Sequence, residues 1–475
     1  MITEAFPKLE NTAFVRLIRA FFRSAYYPAL IALAMACSAV FALELAVIYF
    51  YLILGAIALL FAEDALGILP IACCGYMLIA PENNPARNYE TIFGDSSFVL
   101  QFGFVMVAAV LLLLGRLALR LIQNPKRGYP RLLLGFLALG VAYMIGGILS
   151  PYYKGDTVLY GFVQIVSLAA LYLYFRYAVD WESVPKWYVP ATFLFVGIAL
   201  LAQVGNMYTL PSVFWEDGSV DRSSLYVGWG VYNNIGCVLA MCIPAASYFS
   251  VKSRHGWVFT ILSSLLLLGV CFTQSRGSIL FGAITYAGCA VWVLVASKGA
   301  TRWTNFIVYG GMAVGVLISA LIFREQVKDV FASILEVEME SNGRLKIYRA
   351  CWETFLGHPV FGVGFYATPG LATEGSAAFI APRAHNTYLQ LLASGGIFAM
   401  VTYLFHRMET GILLFKRPSN EKMFVFFVIA ALLLTSLVDC NFFNIGPGIL
   451  YGIVLAFAEA EDREIKERKM RERKA

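Results

Sequence analysis

Val105-Met106-Val107-Ala108-Ala109-Val110-Leu111-Leu112-Leu113-Leu114 runs for ten residues without a polar side chain, and Ile261-Leu262-Ser263-Ser264-Leu265-Leu266-Leu267-Leu268-Gly269-Val270 admits only two serines. Such runs do not alternate. In hydrocarbon every backbone N–H and C=O must be satisfied internally, so a spanning chain is either helical or a closed barrel, and barrel strands alternate apolar with polar. The unbroken runs therefore predict membrane helices. Comparable segments lie near residues 27–43, 45–61, 65–80, 98–120, 132–149, 158–176 and 188–206, then 234–250, 257–273, 278–296, 305–323, 387–405, 422–438 and 446–459. Residues 27–80 are nearly continuous and also admit two helices with a re-entrant piece. The expectation is an all-α polytopic membrane protein of about 12–14 transmembrane helices.

Composition agrees. Of 475 residues 60% are hydrophobic and 14% are charged, more apolar surface than a soluble chain of this size can hide. Lys and Arg accumulate on the side they cannot easily leave. With the N-terminus placed inside, 26 of the 36 Lys and Arg residues fall in the N-terminal segment, in alternate short loops and in the tail, leaving 10 outside. Both termini are thus expected in the cytoplasm. The organisation that follows is a cytoplasmic segment (1–26), a helix bundle (27–323), a large extracytoplasmic loop with short helices (324–386), C-terminal membrane helices (387–459) and a basic cytoplasmic tail (460–475). The tail reads as a solvated helix near anionic lipid rather than a nucleic-acid contact. Eight of the nine cysteines sit in or beside apolar helices and only Cys351 lies in a long loop, with no disulfide or zinc spacing.

Most connections are short, so the long outer ones at 81–97, 207–233 and 324–386 stand out. In the last, Glu325–Glu340 has helical apolar spacing and suits a surface helix. Ser341-Asn342-Gly343 breaks it and leads into a second helix from about Arg344 to Leu356, ended by Gly357-His358-Pro359. Val360-Phe361-Gly362-Val363-Gly364 is a turn-rich segment whose glycines permit close backbone approach. Arg344, Lys346, Arg349, Arg383 and His385 make this cap basic, either as anchors snorkelling at the membrane surface or as a binding face.

Thr273-Gln274-Ser275-Arg276-Gly277-Ser278 joins two apolar helices through almost no loop, which confines Arg276 to the outer interface. A guanidinium there needs a partner. It either bonds the carbonyls of a helix end or clamps an anion. His385 and Asn386, at the mouth of the next membrane helix, read as polar groups satisfied by backbone or as chemistry. Asp439 is placed to pair with an arginine. His255 and His406, beside Arg254 and Arg407, read as charge at the inner interface, and His358 as part of a turn. Glu216-Asp217-Gly218-Ser219-Val220-Asp221 lacks the ligand count of a calcium loop, so neither a metal nor another cofactor is expected.

Asn233-Asn234-Ile235-Gly236, the Thr273–Gly277 turn, Ser341-Asn342-Gly343-Arg344 in the long outer loop, Gly357–Gly364 and Ala384-His385-Asn386-Thr387-Tyr388 resemble, in this order, the O-antigen ligase and polymerase superfamily. The likeness covers roughly residues 225–450. It implies a GT-C-like membrane fold and transfer of a glycan from undecaprenyl diphosphate to an acceptor, lipid A core for a ligase or another repeat unit for a polymerase, at the outer face of the cytoplasmic membrane. Carried to the matching positions, Arg276 and Arg344 hold the diphosphate and His385 acts on the acceptor hydroxyl, with Ser275, Asn386, Asp439 and Asn233 supporting. The chemistry suits these residues. A guanidinium stays charged and grips phosphate bidentately, and the helix start at His385 disfavours an imidazolium. The expected partners are the lipid-linked donor, a glycan or lipid acceptor and membrane lipids, with the ligase reading favoured by the late position of the loop carrying Arg344 and His385. A transporter or flippase of lipid-linked saccharide is the rival class. Against it, the unusual residues cluster outside, the midplane is nearly free of charge and no internal repeat is seen.

Overall fold

The computed structural model describes residues 12–75, 78, 96–124, 128–228, 230–322, 324, 328, 344–365 and 384–473. The expected surface helix at Glu325–Glu340, the Ser341-Asn342-Gly343 break, Arg383 and most of the 81–97 loop lie outside them. Sixteen α-helices carry the described chain. The first half holds α1 (Ala13–Phe22), α2 (Tyr26–Phe41), α3 (Glu44–Phe61), α4 (Ile68–Gly75), α5 (Ser96–Gln123), α6 (Leu133–Ile145), α7 (Gly155–Ala178) and α8 (Tyr188–Met207). The second half holds α9 (Tyr232–Lys252), α10 (Gly256–Phe272), α11 (Arg276–Ala296), α12 (Gly299–Ile322), α13 (Arg344–Gly357), α14 (Thr387–Phe415), α15 (Asn420–Thr435) and α16 (Ile445–Glu472). A two-residue hairpin, β1 (Tyr226–Val227) and β2 (Gly230–Val231), leads directly into α9.

Seven of these helices, α3, α5, α7, α8, α9, α11 and α14, are long and apolar enough among the described residues to cross a membrane, or eight if α1 and α2, bent by 65° at their junction, form one span. The protein is an all-α polytopic membrane protein. Shorter apolar helices such as α6 and α10 add to these among the described residues. Among the described residues of 65–80 the helix is the eight-residue α4, about 12 Å long at 1.5 Å per residue, and α6 has 13 residues.

Helix α9 is the hub, buried along almost its whole length between α8, α10, α11 and α15. Its run Ala240-Met241-Cys242-Ile243-Pro244-Ala245-Ala246-Ser247 explains why: small side chains let neighbouring backbones approach, which is how membrane helices associate. Helix α5 lies at the periphery with Phe104, Val107, Leu111 and Leu114 exposed, a face fit for lipid rather than water.

The glycine segment after α13 behaves as its composition predicts. Helix α14 breaks at Gly396, whose φ of 63° and ψ of −160° is a conformation open essentially to glycine. The turn-rich stretch 359–364 packs against the break. Val363 N–H donates to the Ala393 carbonyl (3.0 Å), Gly364 N–H to that of Ser394 (2.8 Å) and Ile397 N–H to that of Pro359 (2.8 Å). A Cβ on Gly396 would lie 2.3 Å from the Val360 carbonyl oxygen, so close packing is possible only without one.

Two inner-face expectations change. His406 is fully buried rather than interfacial, its ring against Phe136 and its Nε2 2.8 Å from the Tyr451 hydroxyl. Arg407 is caged by the rings of Tyr403, Phe442 and Tyr451, each 4.8 Å from its guanidinium carbon. The cause is the length of α14, which carries both residues past the expected end at 405 and between α6 and α16.

Candidate functional site

A cavity of about 200 Å³ opens where α9, α11 and α14 begin. Arg276, Ser275 and Asn233 line it with Arg344, His385 and Asp439, so six of the seven residues expected from sequence meet in one place. The seventh, Asn386, does not line it. Its side-chain oxygen accepts from the N–H groups of Tyr388 (2.9 Å) and Leu389 (3.0 Å), while its amide donates to the Leu437 carbonyl (2.9 Å). Asn386 therefore caps α14 and ties its start to the segment before Asp439.

Arg276 is the first residue of α11. Ser275 caps that helix from an extended conformation and donates through Oγ to Asn233 Oδ1 (2.7 Å). Close packing fixes the turn: a Cβ on Gly277 would stand 2.1 Å from Val438 Cγ2, and one on Gly236 would stand 2.6 Å from Ser278 Cβ. The Nη1 of Arg276 is buried without a hydrogen-bond partner among the described residues. The alternative in which this arginine bonds carbonyls of a helix end thus leaves a donor unsatisfied. Arg344 opens the described part of α13 and lines the same cavity. Lys346 and Arg349, on the same helix, are exposed and are not among the described residues lining this cavity.

His385 sits just ahead of α14 with φ 47°, a left-handed conformation uncommon for a residue with a side chain. Its carbonyl accepts from the Tyr348 hydroxyl of α13 (3.2 Å). Its Nδ1 stands 3.5 Å from Asp439 Oδ1, the outer limit of hydrogen-bond reach. Asp439 was expected to pair with an arginine and pairs with His385 instead, because the segment after α15 folds back under the start of α14. There Thr387 N–H donates to the Ser436 carbonyl (2.9 Å). Burial raises the Asp439 carboxyl, but contacts with His385, the Cys440 N–H and Asn233 outweigh it and hold the group below the usual carboxylate range. An ionised Asp439 orients an Nδ1–H tautomer, which leaves the Nε2 lone pair for chemistry.

Arg222 and Tyr232 line the cavity too and escaped the sequence reading. Arg222 lies in the connection between α8 and α9, beside acidic residues that look solvated. Asp217 and Asp221 do turn on themselves, accepting from the hydroxyls of Ser219 and of Ser223 and Ser224. The one available signal is that Arg222 shortly precedes Asn233.

Among the described residues the cavity lining holds three arginines and one carboxylate, with the N-terminal ends of α9, α11 and α14 at the same space, an arrangement that suits a strongly anionic group. The molecule is thus a membrane protein with an anion-receptive cavity at one end of its bundle and a His–Asp pair on the rim. Residues 261–404 match the family model described as O-antigen ligase, so this stretch of the chain is similar to that family. No protein of curated function matches the chain. The matched stretch contains Arg276, Arg344 and His385, whereas Arg222, Asn233 and Asp439 lie outside it and reach the cavity by folding.

Proposed function

We propose that the protein is a ligase-type glycan transferase, moving a glycan from undecaprenyl diphosphate to an acceptor hydroxyl at the outer face of a bacterial cytoplasmic membrane, with both termini inside. The observation that carries this is the meeting of Arg276, Arg344 and His385 in one cavity. The acceptor hydroxyl gives its proton to His385 Nε2 while its oxygen forms the new bond to the anomeric carbon, and the carbon–oxygen bond to phosphate breaks with its electron pair on the leaving diphosphate. Arg276 and Arg344 bind that diphosphate, and their fixed charges serve where other transferases use a metal ion. Asp439 keeps the imidazole in the accepting tautomer and stabilises the imidazolium that forms.

The sidedness has its own support. Ion pairs gather at the end of the bundle opposite the cavity, where most of the basic residues lie. Reconstitution of the full chain with a lipid-linked glycan and an acceptor tests the reading. An intact glycan moved to a second acceptor supports the ligase, a ladder of lengthening lipid-linked chains makes it a polymerase, and solute uptake without transfer makes it a transporter. Arg276→Ala, Arg344→Ala and His385→Ala are each expected to lower transfer by about 10²-fold or more with insertion intact. Near-normal transfer by His385→Ala removes the base assignment.

A further inference from the structure

We propose that Arg222 is a third diphosphate-binding group, whose interaction strengthens as the glycosyl bond breaks and which therefore acts on the leaving group. The inference rests on the glycan-transfer reading of the cavity and goes beyond it by assigning a residue outside the matched family segment.

Arg222 is built into its place. The loop before α9 is stitched by Asp221 N–H to the Val213 carbonyl (2.8 Å), Trp215 N–H to that of Ser219 (2.8 Å) and the Tyr208 hydroxyl to that of Phe272 (2.5 Å). Asp221 caps the short helical turn Arg222–Ser224, and the guanidinium lies over the Tyr232 ring at 5.7 Å from its centroid. That stacking orients an arginine without consuming its donors. The adjacent carboxylate of Asp221 is occupied by the hydroxyls of Ser223 and Ser224. Among the described residues neither Arg222 nor Arg276 makes an ion pair, and Asp439, the lone carboxylate lining the cavity, faces His385.

Charge matching gives the third arginine its role. In the donor the diphosphate is a diester with one negative charge on each phosphate, which Arg276 and Arg344 balance. When the anomeric carbon–oxygen bond breaks, the electron pair stays on the diphosphate, now a monoester with a further charge. The acceptor's proton meanwhile leaves on His385, so charge and atoms balance. A third guanidinium in the same cavity has its full partner only after this charge develops. An interaction made in the transition state and weak in the ground state raises kcat rather than lowering KM.

The test uses the full chain in lipid nanodiscs. Arg222→Gln is expected to lower kcat by about 10²-fold while the KM for donor stays within about threefold. In parallel, direct binding of polyprenyl diphosphate and polyprenyl phosphate is compared, and Arg222→Gln is expected to lose about tenfold of the preference for the diphosphate. Arg222→Lys, which keeps charge but not the fork, covers the case in which the glutamine variant fails to fold, and is expected to lose part of both. A rise in KM with kcat unchanged overturns the proposal, as does an unchanged diphosphate preference, whether or not the wild type transfers glycan. Absence of transfer by a wild type that still binds diphosphate overturns the glycan-transfer reading alone.

Discussion

Asp439 is the residue whose role the structure changes most. Paired in the sequence reading with an arginine, it faces His385 across 3.5 Å and accepts from the Cys440 N–H at 2.7 Å. Its folded carboxyl is held below the usual range, so the sign of its effect on stability follows. The stabilisation is fully present above the ordinary carboxylate value of about 3.9 and is lost as pH falls through the lower folded value. Asp439→Asn is therefore expected to melt below the wild type at neutral pH, with the gap closing as pH falls toward about 3. A gap that stays constant in thermal melts across that range removes the linkage. The same variant is expected to lose transfer by about 10²-fold or more, since an asparagine neither fixes the tautomer as a carboxylate does nor balances an imidazolium. At this scale the sequence made Arg276 legible because two apolar helices confine it. It left Asp439's partner hidden because 54 positions separate Asp439 from His385, and nothing local records that the chain doubles back. Arg222 was hidden for the opposite reason: its neighbours look like an ordinary solvated loop.

Elements place these side chains through contacts that admit no extra atom. Gly277, second residue of α11, stands where a Cβ would meet Val438 Cγ2 at 2.1 Å, and Val438 immediately precedes Asp439. Gly277→Ala is expected to push the 438–439 segment away from α11 and cost about 1–3 kcal/mol, with transfer falling because the His385–Asp439 contact is already at its limit. Val438→Ala in the same chain restores the space, so the double variant is expected to recover both melting temperature and transfer; a double variant worse than either single change refutes the steric account. At the α14 break, Gly396→Ala meets both a glycine-only conformation and the Val360 carbonyl, and is expected to cost about 3 kcal/mol or more by denaturation in detergent. The close approach of the 360–364 glycines was legible from composition. Their partner was not, because a break inside an apolar helix leaves only Gly395-Gly396 as a trace.

Along the bundle, the cavity and the cluster of ion pairs occupy opposite ends. Tyr232, Thr435 and Asn441 line the cavity, while Lys252, Lys422 and Glu459, farther along or back on α9, α15 and α16, lie at the other end. From Tyr232 to Lys252 is about 30 Å of helix, the thickness of a bilayer core. At that far end Glu459 accepts from Arg176 Nε (2.6 Å), from the Tyr172 hydroxyl and from the Arg131 N–H (3.2 Å). One turn on, Asp462 gathers Arg131 (2.5 Å), Lys422 (2.6 Å) and Arg417 (2.7 Å). The charge bias in the sequence announced a basic face but not that α16 supplies its buried acids, since Glu459 closes an apolar segment and Glu461 and Asp462 read as the start of a solvated tail. Glu459→Ala removes the acceptor of a guanidinium that is itself almost wholly buried, so about 3–5 kcal/mol of stability is expected to go. Because Glu459 lies 14 residues beyond the start of α16, roughly 21 Å along its axis, kcat per folded molecule is expected to stay near the wild-type value. Melting in detergent and transfer in nanodiscs, measured on the same preparation, separate the two quantities. A loss of kcat at unchanged melting temperature would mean that the ionic end communicates with the cavity, and the division of the molecule into an anchoring end and a reacting end would fail.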